Sequence, residues 1–188
     1  MSRLVQIPID IGISRVIHVE DGVATKIQLL PILPPERMRE HLAEELKGKG
    51  YEVADGHATK ELERDGGKVT VTVDVATGEV TVKLQHEETV KIDHHHVGTT
   101  DTDFGEEGRR WVRAEAERAA ERKADEAAQR LQEKGTQALE GVLQDLRPEI
   151  EQVVHGTTKR ALDEKAASLG EVIGKEDDGE NLTIKIKV

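Results

Sequence analysis

The sequence predicts an α+β protein: an antiparallel β-meander sheet packed by a short helix, a long helical hairpin or coiled-coil-like insertion, and a C-terminal strand. Three observations carry this expectation. KVTVTVDVATGEVTVKL alternates apolar and polar residues on both sides of Thr77-Gly78, the stretch after Gly105 is dense in helix formers, and NLTIKIKV returns to period two at the end. The boundaries read as residues 1–98 for the sheet domain, 99–175 for the helical region, and 176–188 for a strand returning to the first sheet.

In chain order, Val5, Ile7, Ile9, Ile11 and Ile13 occupy every second position, the spacing of a strand with one apolar face. Pro8 and Gly12 assign it to an edge or a bulge. Further extended stretches are expected at Arg15 to Val19 and Thr25 to Leu30, joined by a turn at Glu20-Asp21-Gly22. The period then changes. Met38, Leu42 and Leu46 lie four apart behind Pro34 and Pro35, which marks a helix with one buried face and an exit at Gly48 and Gly50.

In the meander, Val69, Val71 and Val73 share one face, as do Val80, Val82 and Leu84 beyond the turn. Flanking strands are expected near Ala58 to Arg64 and Thr89 to Asp93, the first joined through Asp65-Gly66-Gly67. A linker is expected after His96. The helical region then carries Ala116, Ala120, Ala124, Ala127, Ala128 and Leu131, followed by Leu139, Val142, Leu146, Ile150 and Val153. The latter advance by threes and fours, so they form a stripe, with breaks conceivable at Gly135 and Pro148.

Composition narrows function. The formal charge is −11 and aromatics make up 2% of the chain, which opposes a phosphate backbone and leaves few rings on which bases or sugars could stack. Arg109, Arg110 and Arg113 form the one basic cluster, set among Glu106, Glu107, Glu115 and Glu117. With no cysteine there are no disulfides, thiolate metal sites or cysteine nucleophiles. No run approaches the roughly 20 apolar residues needed to cross a bilayer. A cytoplasmic protein that binds neither nucleic acid nor membrane is expected.

Asp93-His94-His95-His96 is the candidate metal site. A carboxylate and imidazoles suit a divalent transition metal, but strand neighbours face opposite ways, so His94 and His96 can converge while Asp93 needs local bending. The triplet looks superficially like the motif of DHH phosphoesterases. The upstream Asp-x-Asp of that family is missing, since Asp101-Thr-Asp103 lies downstream, and the likeness is not pursued. Gly170 to Lys175 is one residue short of a phosphate loop and reads as a helix exit and turn, and no serine sits in a nucleophile elbow.

Trp111 stands close to Phe104 in a chain almost devoid of rings; the two read either as a small satellite core anchoring the helix to the sheet or, being surrounded by Arg and Glu, as a partner-facing anchor. The expectation is therefore a non-catalytic protein-interaction or assembly module, without cofactor, that meets a protein partner or a second copy through its helical region. Its partner-binding residues would be Trp111, Leu139, Val142, Leu146, Ile150 and Val153. The alternative is a metal-dependent hydrolase using His94 and His96 with Asp93.

Overall fold

The computed structural model describes residues 4–101, 105–177 and 182–187; Asp103, Phe104 and Asn181, which entered the expectations above, lie outside them. The elements run β1 (Leu4–Lys26), α1 (Pro35–Gly48), β2 (Glu52–Ala54), β3 (His57–Arg64), β4 (Gly67–Asp74), β5 (Glu79–Asp101), α2 (Gly105–Leu169), β6 (Glu171–Asp177) and β7 (Leu182–Lys187). A five-stranded antiparallel sheet has the order β1-β5-β4-β3-β2, and β6 and β7 form a second, two-stranded sheet. The chain divides into two compact units, Met1–Glu20 with Gln85–Gln137, and Asp21–Leu84 with Ala138–Val188. We call them the ribbon unit and the core unit.

In the core unit the alternation works as expected. Val69, Val71, Val73, Val80, Val82 and Leu84 are at most 1% exposed, and Leu42 and Leu46 of α1 and Val142 and Val153 of α2 join them in one cluster. Pro34 and Pro35 open α1 where a missing amide hydrogen costs no helical bond. Asp65 and Gly66 both have positive φ, at 51° and 80°, which suits the two-residue turn that lets β3 and β4 pair from Arg64↔Gly67 to His57↔Asp74. Charges fasten the rim: Lys60 Nζ lies 2.9 Å from Glu149, and Arg37 and His41 both reach Glu164, each at 2.7 Å.

Several boundaries differ from the sequence expectation for one physical reason. The residues expected as three extended stretches form the single 23-residue strand β1, apart from the last few before Leu30. Its inward-facing positions keep odd parity from Ile7 to Val19, which joins the first two stretches without a break, and the strand continues through Glu20-Asp21-Gly22 to Lys26. Gly22 is no turn residue: a Cβ there would lie 3.0 Å from the Val82 carbonyl, so glycine admits the close neighbouring strand. Likewise β5 keeps even parity past His96 and runs to Asp101, through the segment expected to be a linker.

The helical region is one 65-residue helix and not a hairpin. Gly135 is buried on its packed side, where a small residue permits close approach, while Pro148 is exposed, so the carbonyl it leaves unpaired can bond water. The terminal strand does not return to the first sheet. It pairs with β6, from Glu171↔Lys187 to Asp177↔Leu182, so the segment read as a helix exit is a strand.

Candidate protein-binding surface

The ribbon unit consists of the first part of β1, the last part of β5 and the first part of α2. Side chains on the outer face meet in constant antiparallel register: Asp10 bonds His95 at 2.5 Å, His18 faces Glu87 at 3.3 Å, and Glu20 faces Gln85 at 3.5 Å. The inner face packs on α2 through small residues. Val112, Ala116, Ala120 and Ala124 are at most 2% exposed, and Ile17, Val19 and Leu131 make a separate small cluster.

Two glycines set how close this seam is. A Cβ at Gly98 would come within 2.2 Å of Val112, and one at Gly108 within 2.2 Å of Thr100. At these two positions the helix lies nearly on the strand backbone, leaving no depth for a side chain.

The histidines follow strand geometry. His94 and His96 lie on the inner parity of β5, with ring centroids 5.9 Å apart, whereas Asp93 and His95 are exposed on the other face. Asp93 is thus separated from the pair by the pleat, which corrects its expected place in a shared site. Beside the imidazoles stand residues that the sequence reading missed: Lys123 Nζ donates to His94 Nδ1 at 3.0 Å, and Glu115 lies 3.9 Å from His96 Nε2. Their eight-residue spacing on α2 was the available signal, since it puts both on one helical flank.

Burial, then the Lys123 charge, then the neighbouring histidines hold His94 below the usual imidazole pKa. A neutral ring accepting from lysine has already used the nitrogen that faces α2. Among the described residues no group of three His, Cys, Asp or Glu side chains is arranged to hold a metal ion.

The expected partner stripe has a different fate. Leu139, Val142 and Leu146 are 3–8% exposed and Val153 is fully buried, all within the core cluster of their own unit, with Ile150 packed against it. An aliphatic stripe satisfied by the chain's own sheet is core, so those five residues are corrected from interface to interior. Trp111 is the opposite case, with 64% of its surface exposed. It borders a groove with Leu4, Thr99, Thr100, Glu107 and Gly108, and Leu4 is itself 73% exposed. Two large apolar side chains are thus left open beside one groove.

No helix among the described residues is long and apolar enough to cross a membrane. No curated protein and no solved structure matches the chain. A family model described as FtsH ternary system domain X5 matches residues 1–188, the whole sequence, and the chain belongs to that family.

Proposed function

We propose that this FtsH ternary system X5 domain is a non-catalytic assembly module of the cytoplasm whose partner-facing surface is the groove around Trp111. The observation that carries the reading is the exposure of that ring, 64%, in a chain where the aliphatic stripe is consumed by its own core. A domain described as part of an FtsH ternary system fits a component that works beside other proteins. The surface combines an exposed aromatic, the neighbouring Leu4 and a polar rim of Thr99, Thr100 and Glu107, the composition of an interface hot spot within a surface that stays soluble when free.

The test is co-expression with the other components of its FtsH ternary system, followed by quantitative affinity measurement with the wild-type chain and Trp111→Ala. A central anchor is expected to cost about 2 kcal/mol or more, roughly thirtyfold in Kd, with the urea midpoint of the free chain unchanged because the ring is exposed. Unchanged affinity in both Trp111→Ala and Trp111→Glu would remove this surface from the assembly.

A further inference from the structure

On the other flank of α2 from Trp111, a second groove runs between Ile7, Pro8 and Ile9 of β1 and Arg109, Arg110 and Arg113 of the helix, with Glu106 at its side. Ile7 and Ile9 are half-buried, so each still offers apolar surface. Arg113 donates to Glu117 at 3.0 Å. Arg109 and Arg110 have neither a hydrogen bond nor an ion pair among the described residues, although Glu106 and Glu107 lie within helical reach.

In a chain of net charge −11, Arg109 and Arg110 offer two guanidinium groups to a negatively charged partner. The arginines stand beside aliphatic side chains on β1, an edge strand of its sheet, which among the described residues has one side unpaired by any strand.

We propose that this groove receives an extended, acidic segment of a partner protein, with alternate apolar side chains against Ile7 and Ile9 and carboxylates on Arg109 and Arg110. This rests on the assembly reading above and assigns the second contact its chemistry. Arginine forks bind carboxylates in bidentate fashion, and an extended segment presents acidic and apolar residues to opposite sides, as the groove's two walls require. A nucleic acid fits less well. The overall charge repels it, and among the described residues no aromatic lines the groove to stack a base.

The experiment is fluorescence anisotropy of the full chain with a labelled twelve-residue peptide alternating glutamate and leucine. Two controls accompany it, one replacing glutamate with lysine and one replacing leucine with serine. The glutamate–leucine peptide should bind at least about tenfold more tightly than either control and weaken as salt rises. In Arg109→Glu/Arg110→Glu the preference should invert towards the lysine peptide. Trp111→Ala should leave peptide binding intact, so failure of the Trp111 surface and failure of this groove are separable.

Equal affinity for the glutamate and lysine peptides, or an unaltered preference in the double variant, would overturn the proposal. So would tighter binding of a labelled DNA duplex than of the peptide. Concentration-dependent self-association that disappears in the double variant would give the groove to a second copy instead, and would equally overturn it.

Discussion

The core unit and the ribbon unit draw on the same three long elements, β1, β5 and α2, yet bury them in different ways. In the core unit, α2 contributes Leu139, Val142, Leu146 and Val153 to a cluster shared with α1 and the central valines. In the ribbon unit it contributes Val112 and then alanines, held against glycine positions on and opposite the strand. A fully buried leucine or valine contributes about 1.5–3 kcal/mol of transfer free energy and an alanine much less. Stability is therefore concentrated in one unit, and the exposed aromatic, the unpaired arginines and the histidine pair all lie in the other.

The most destructive way to probe that contrast is a charge in the core unit. Val142→Asp or Leu146→Asp, at residues that the sequence alone assigns to a partner surface, should instead unfold the core unit, because an unpaired carboxylate among valines costs about 4 kcal/mol or more. Circular dichroism and urea melts report this directly. A folded Val142→Asp variant with an unchanged midpoint would return the stripe to the surface.

Next in size is a steric test of the ribbon seam. Gly98→Ala drives a methyl into Val112 and should destabilise by about 1–3 kcal/mol, as overpacking does. Adding Val112→Ala should recover most of the loss, since it vacates the space that the new methyl needs. If the double variant is no more stable than Gly98→Ala alone, the close approach of strand and helix is not what this glycine serves.

The sequence showed the sheet of the core unit plainly, because period-two valines and the Asp65-Gly66 turn are local signals that tertiary packing merely reinforces. The unbroken lengths of β1 and β5 were harder. Glu20-Asp21-Gly22 has turn chemistry, and the constant parity from Ile7 to Val19 stops short of it, so no alternation carries the strand on to Lys26. The stripe from Leu139 to Val153 was read correctly as a helical face, but periodicity cannot say which surface covers it. Trp111 stood out by rarity, whereas Arg109 and Arg110 looked neutralised by their glutamates. Whether a charge is paired is settled by side-chain direction, which spacing along the chain does not fix.

The smallest expected effect separates the units by acid response. His94 has its pKa lowered by burial, Lys123 and the other two histidines, so the unfolded chain binds the proton more readily. Its contribution is whole above the ordinary imidazole value near 6.5 and is lost as pH falls through the lower folded value. Glu164, in the core unit, is held at about 2 by hydrogen bonds from Arg37 and His41, against an ordinary 4.5. Its contribution is complete above that ordinary value and fades only as pH drops towards 2. Hydrogen exchange at pH 7.5 and 5.5 should therefore show the ribbon unit losing protection while the core unit keeps it. His94→Gln isolates the effect. That variant should flatten the ribbon unit's response between pH 7.5 and 5.5, and Glu164→Gln should flatten the core unit's response below pH 4.5. Simultaneous loss of protection in both units at pH 5.5 would mean that they open as one cooperative body, and the division of labour between them would fall with it.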